Sequence, residues 1–182
     1  MVPLTQTYLS PKPIPLKLSP IDATFSGTFA DSLIELLSDE GYSHCFFVPG
    51  GNIMHLLNSA RRNMTCIPFI HEHSAVVATE YFNELRVPGK TGKAFALVTV
   101  GPGVTNAVTG VTGAFLESRE CLVIGGQVKR EDLSPPELRQ IGIQELDGAR
   151  LMGSVCKFSL SIRGEQDLAT VRAAVRSGSS PR

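Results

Sequence analysis

The sequence predicts an α/β domain: a three-layer sandwich with a mostly parallel sheet and helices on both faces. Three observations carry that reading. Apolar runs of strand length alternate with segments of helical period from Gly27 onward. The run "AFALVTV" (94–100), apolar but for Thr99, has the continuous apolar character of a strand covered on both faces. Three strand-like runs end at Pro49-Gly50-Gly51, His71-Glu72-His73 and Gly101-Pro102-Gly103, and sheets of this class bind ligands at their C-terminal strand ends.

The elements follow in order. Gly27–Glu40 reads as a helix with Phe29, Leu33, Leu36 and Leu37 on one face and Gly41 at its C-terminal cap. "HCFFV" is a buried strand, and "NIMHLLNSARR" is a helix with Asn52 as N-cap. "TCIPFI" is a strand whose Pro68 argues for the sheet edge. "SAVVATEYFNEL" is a helix, "VPGKTGK" a turn, and "AFALVTV" a strand broken by "GPG". "VTNAVTGVTGAFLES" is a helix rich in small residues, and "CLVIGG" is the next strand. The polar stretch 127–143, with Pro135-Pro136, is a long loop of the kind that often carries function. "IQELDGARLM" reads as a short helix, "SVCKFSLSI" as a strand, and "EQDLATVRAAVRS" as a closing helix striped by Leu168, Val171 and Val175. Residues 1–22, rich in proline, read as an extended lead-in without a secretory signal, 23–178 as one domain, and 179–182 as a tail.

Bulk properties exclude several classes. The 182 residues balance 17 lysines and arginines against 17 acidic residues, which leaves no electrostatic footprint for nucleic acid or an anionic membrane. Every apolar run is far shorter than the roughly 20 residues that span a bilayer. Cys45, Cys66, Cys121 and Cys156 form no CxxC pair and read as four buried free thiols in a reducing, cytoplasmic setting.

"GPGVTN" follows a strand and opens a helix, but Asn106 stands where a dinucleotide fingerprint needs its third glycine. The P-loop and GxSxG patterns are absent. "HEHSA" is not HExxH; two histidines two apart can share a strand face, yet no third ligand gathers with them, so no metal site is assigned. His71 and His73 read as structural partners at the strand end. By itself Glu72 reads as a helix N-terminal carboxylate, a placement worth about 0.3–1 kcal/mol.

Four stretches in register add to this: "FFVPGGNIMHLLNSA", "HEHSAVVATEYF", "ALVTVGPGVTNAVTGVTGAFLES" with "CLVIGGQV", and "IQELDGARLMGSVCKFS". Over residues 25–162 the chain resembles the N-terminal, pyrimidine-binding domain of thiamine-diphosphate-dependent enzymes, the acetolactate synthase group most of all. The resemblance implies the thiamine-diphosphate-binding fold and a lyase or transferase acting on 2-oxo acids such as pyruvate. It places Glu72 as the cofactor activator, hydrogen-bonded to N1′ of the aminopyrimidine. It implies that Gly50 and Gly51 bring backbone close to the reaction centre. Pro102, Gly103 and Asn106 would lie against the pyrimidine, and Gln127 on the substrate side. Gln144-Glu145 resembles the group's "FQE", with Ile143 in place of the aromatic residue.

The same resemblance marks a lack. Enzymes of this kind carry a second α/β domain whose GDG…N motif holds Mg²⁺ and the diphosphate, and no GDG occurs here. The chain is therefore expected to meet only the pyrimidine half of thiamine diphosphate, with Mg²⁺ on a diphosphate-binding partner domain or subunit. It would work as a homo- or hetero-oligomer and be inactive alone. The alternatives are a non-catalytic truncated fragment or interaction module pairing with a full-length relative, and the small subunit of a split 2-oxo acid decarboxylase. An apolar patch is expected around the strand C-terminal ends.

Overall fold

A computed structural model describes residues 27–135 and 137–178. The expected lead-in (1–22) and tail (179–182) lie outside them. Helix α1 (Phe29–Asp39) starts from a reciprocal cap. The Thr28 hydroxyl accepts from the Asp31 amide at 3.3 Å, and the Asp31 carboxylate accepts from the Thr28 amide at 3.0 Å. Gly41, at φ +87°, then turns the chain into strand β1 (Tyr42–Phe47).

After β1 come a 3₁₀ turn (Gly51–Ile53), α2 (Met54–Asn63) and β2 (Thr65–Pro68). Next are α3 (Glu72–Leu85), β3 (Lys93–Val98), α4 (Pro102–Leu116) and β4 (Val123–Gly125). A short α5 (Gly148–Met152) and α6 (Leu168–Gly178) complete the described elements. The strand order is β2-β1-β3-β4 and every pairing is parallel. Pro68 is the last residue of an edge strand, where its missing N–H costs no ladder bond. The chain steps from β1 out to β2 and returns across β1 to β3. That reversal opens a crevice between the C-terminal ends of β1 and β3.

Alternation along the strands splits the core into two layers. Cys45, Phe47, Phe95 and Leu97 pack with Leu33, Leu37, Ala60, Leu168 and Val171 of α1, α2 and α6. Ala96 and Val98 pack with Val76 of α3 and Val104, Ala107 and Val111 of α4, and Phe46 and Ala94 with Ala75. The three-layer α/β sandwich is thus present. One buried polar tie binds α3 to the sheet. Asn83 Nδ2 donates to the Ala94 carbonyl at 3.0 Å, and the Ala94 amide donates back to Asn83 Oδ1 at 2.8 Å.

Four local expectations are corrected. Asn52 does not cap α2; it lies within the 3₁₀ turn, and its side chain donates to the Gln127 carbonyl at 3.3 Å. The helix expected over 143–152 shrinks to Gly148–Met152, started by the Asp147 carboxylate accepting from the Arg150 amide at 2.9 Å. The strand expected at 154–162 does not form. Residues 155–162 face β4 across a cavity of about 450 Å³ and are fastened by side chains instead. Lys157 Nζ donates to the Ser177 carbonyl at 2.6 Å and Ser159 Oγ to the Ala149 carbonyl at 2.7 Å. Among the cysteines only Cys45 is fully buried; the other three are half-buried free thiols. Burial still pushes Cys45 up and Cys121 up to about 12. No described helix is long and apolar enough to cross a membrane.

Candidate functional site

The C-terminal strand ends gather the residues singled out from the sequence. Glu72 is the first residue of α3, with residues 69–71 between it and the end of the edge strand at Pro68. It is only 8% exposed although it carries a carboxyl group. Such burial demands a partner, and Asn106 in the first turns of α4 supplies it: Asn106 Nδ2 donates to Glu72 Oε2 at 3.0 Å. The other oxygen, Oε1, has no hydrogen-bond donor among the described residues. It faces Gly103, where a β-carbon would lie 3.5 Å from it. One oxygen is held by a protein donor, and the other has none among the described residues.

The glycines divide by cause. A β-carbon on Gly50 would come within 2.4 Å of Thr99 Cβ, and one on Gly103 within 2.9 Å of Thr99 Cγ2. Thr99, just past β3, is therefore wedged between the two turns, and both glycines exist to admit it. A β-carbon on Gly51 would meet nothing within 4 Å, so that backbone borders open space. Gly101, at φ +60°, is in the left-handed region, and a β-carbon there would lie 2.3 Å from the Gln144 carbonyl oxygen. Pro102 follows at the first position of α4, where its missing N–H is harmless.

Gln127 lies two residues past β4 and is exposed. Its side chain turns back on the following loop: Nε2 donates to the Leu146 carbonyl at 2.7 Å and Oε1 accepts from the Val128 amide at 2.9 Å. The loop itself is organised by Glu145. Its carboxylate accepts from the Ser134 amide and hydroxyl, both at 2.7 Å, and from the Ile141 and Gly142 amides at 2.9 and 3.2 Å. These donors, the Ile141 amide first, hold the Glu145 carboxyl down at about 2. His71 and His73 are exposed on either side of Glu72, so neither fastens the strand end as expected. Among the described residues no three His, Cys, Asp or Glu side chains gather as a metal site.

Thr99 was not singled out from the sequence, and Glu145 only as part of Gln144-Glu145, without its role as a loop anchor. The one signal for Thr99 is its place between an apolar strand and a glycine turn. Large apolar side chains are bare around the same edge: Ile70 is 97% exposed, Ile143 83% and Met54 63%.

A family model described as "Thiamine pyrophosphate enzyme, N-terminal TPP binding domain" matches residues 27–151. The chain belongs to this family. Those residues hold Glu72, Asn106, the glycine turns and the Glu145 loop together. Relatives agree. The acetolactate synthase large subunit of Buchnera aphidicola subsp. Acyrthosiphon pisum is 30% identical over 144 residues, 78% of this chain and 24% of the relative. That of Lactococcus lactis is 32% identical over 139 residues, 75% of this chain and 22% of the relative. The 2-hydroxyacyl-CoA lyase 2 of Danio rerio is 32% identical over 148 residues, 80% of this chain and 22% of the relative. The chain thus spans about a quarter of the length of the curated relatives it matches.

The residues present fit a domain that binds thiamine diphosphate. A buried carboxyl group keeps one oxygen free of protein donors, beside a backbone stripped of its β-carbon at Gly103. This thiamine pyrophosphate enzyme domain also follows the rule for open parallel sheets, with its polar residues at the switch point between β1 and β3.

Proposed function

We propose that the chain is the pyrimidine-binding part of a thiamine-diphosphate enzyme acting on 2-oxo acids such as pyruvate, completed by a diphosphate-binding domain or subunit that carries Mg²⁺. The observation that carries this reading is the buried Glu72 carboxyl, tied through Oε2 to Asn106 and open through Oε1. Glu72 would hydrogen-bond the ring nitrogen N1′, with Gly103 and Asn106 along one side of the pyrimidine and Gly50, Gly51 and Pro102 bordering the crevice. When bound, the cofactor's thiazolium ring supplies an electron sink for breaking the bond beside the substrate carbonyl. This chain's part is to hold a proton between Glu72 and the ring nitrogen and to keep water from that carboxyl. Gln127 stands on the substrate side. The acetolactate synthase relatives favour a 2-oxo acid substrate, and the 2-hydroxyacyl-CoA lyase relative names the competing class.

The bare Ile70, Ile143 and Met54 favour an oligomer in which a partner domain closes over this edge. They fit a split enzyme's small subunit and a module pairing with a full-length relative equally. The free thiols suit work in the cytoplasm. Calorimetry with thiamine diphosphate and Mg²⁺ tests the reading. The chain alone is expected to give no tight binding. The chain mixed with the diphosphate-binding domain of an acetolactate synthase relative is expected to bind. Tight binding by the chain alone contradicts the split of the site.

A further inference from the structure

In the loop from Gln127 to Asp147 one carboxylate gathers four hydrogen bonds. Glu145 gathers three residues about its carboxylate: Ser134 on Oε1, and Ile141 and Gly142 on Oε2. Charged acceptors make such bonds about twice as strong as neutral ones. The residues on either side of Glu145 are the ones that touch the site. Gln144 sits at φ +60°, a left-handed conformation that costs energy in a residue with a side chain, and its carbonyl presses on Gly101 at the mouth of α4. Leu146 offers its carbonyl to the Gln127 side chain at 2.7 Å. The backbone through 144–146 thus lies against the Gly101 turn and the Gln127 side chain, while the Glu145 carboxylate accepts from its own loop.

We propose that Glu145 is a positioning residue: by tying Ser134, Ile141 and Gly142 it holds the Gln144 carbonyl against Gly101 and the Leu146 carbonyl under Gln127, and so fixes the substrate-side wall. The proposal rests on the function proposed above for its catalytic consequence, though not for its structural one. Left-handed Gln144 survives because the four hydrogen bonds one residue on over-determine the backbone there. Glu72 and Asn106 belong to a separate contact and stay in place when the wall loosens.

The test compares Glu145→Gln with the unaltered full chain by amide exchange and ¹H–¹⁵N NMR. Amide exchange at Ile141 and Gly142 is expected to rise about tenfold or more, since the charged acceptor is lost. The Gln127 side-chain amide and the Gly101 amide are expected to shift, while Asn106 does not. A tie that matters only inside its loop would free Ile141 and Gly142 and leave Gln127 and Gly101 unmoved; that result overturns the proposal. Ser134→Ala, which keeps the carboxylate and removes one donor, is expected to move the same signals less. In the assembly with a diphosphate-binding domain, Glu145→Gln is expected to raise KM for the 2-oxo acid about tenfold and hold kcat within about twofold. An unchanged KM in an active assembly also overturns it. An unaltered assembly that turns nothing over defeats the function proposed above, and the NMR arm still decides the role of Glu145.

Discussion

Asn106 Nδ2 donates to Glu72 Oε2 at 3.0 Å, tying the first residue of one helix to the early turns of the next. The bond joins two strand ends that are far apart in the sequence and leaves the second carboxyl oxygen facing Gly103. Asn106→Ala strips a buried acceptor of its donor, at a cost of about 1–3 kcal/mol. Urea unfolding of the two proteins measures it. An unchanged midpoint would mean that Oε2 is satisfied by solvent.

The wedge formed by Thr99 makes a graded expectation. Gly103→Ala clashes with Thr99 Cγ2 alone at under 3 Å, whereas Gly50→Ala meets Thr99 Cβ and Oγ1. Adding Thr99→Ser, which deletes Cγ2, is expected to rescue Gly103→Ala and not Gly50→Ala. The coupling expected in a double-mutant cycle is about 0.5–3 kcal/mol. Equal rescue of both would show that the Thr99 side chain is free to move.

Asn83 closes both ladder groups of Ala94 and also donates to the Glu120 carbonyl at 3.3 Å. Asn83→Ala leaves a buried N–H and C=O unpaired, and a loss of about 2–4 kcal/mol follows if each costs its usual desolvation penalty. Thermal unfolding reads the effect. A loss well under 1 kcal/mol would place water in the vacated space.

Acid sensitivity has a defined sign. Asp31 is lowered to about 2, first by the Thr28 amide and then by Ser59 and the Thr28 hydroxyl, with Arg62 adding its charge. A depressed folded-state value means that the stabilisation is full above the ordinary carboxylate range and fades as pH falls toward about 2. Glu145 behaves alike. Asp31→Asn is therefore expected to lower stability at neutral pH and to flatten the acid limb between about pH 4 and 2, measured by urea unfolding across that range. A limb of unchanged slope would contradict the assignment.

The sequence disclosed the fold through particular residues. Pro68 announced an edge strand, and the unbroken apolar run at 94–98 announced a strand buried on both faces. Glu72 and the glycine turns drew attention because they sit at strand ends, whereas Asn106 entered as a site residue only through the family resemblance. The failures share a cause. Alternation at Cys156, Phe158, Leu160 and Ile162 has the period of a strand, but a ladder requires a neighbour that periodicity does not name, and Leu160 stays exposed. The helix expected from Ile143 is cut short because Glu145 takes amides from the loop before it and Gln144 turns left-handed. Thr99 matters through contacts with glycines distant in sequence, and a threonine before a turn does not reveal them.

The central claim is that the Glu72 carboxyl activates the cofactor. The chain, assembled with a diphosphate-binding domain, thiamine diphosphate and Mg²⁺, is compared with its Glu72→Gln variant for consumption of pyruvate and related 2-oxo acids. A loss of about 10²–10⁴-fold in turnover, with assembly intact, is expected of a proton-handling group; full turnover by Glu72→Gln would contradict it.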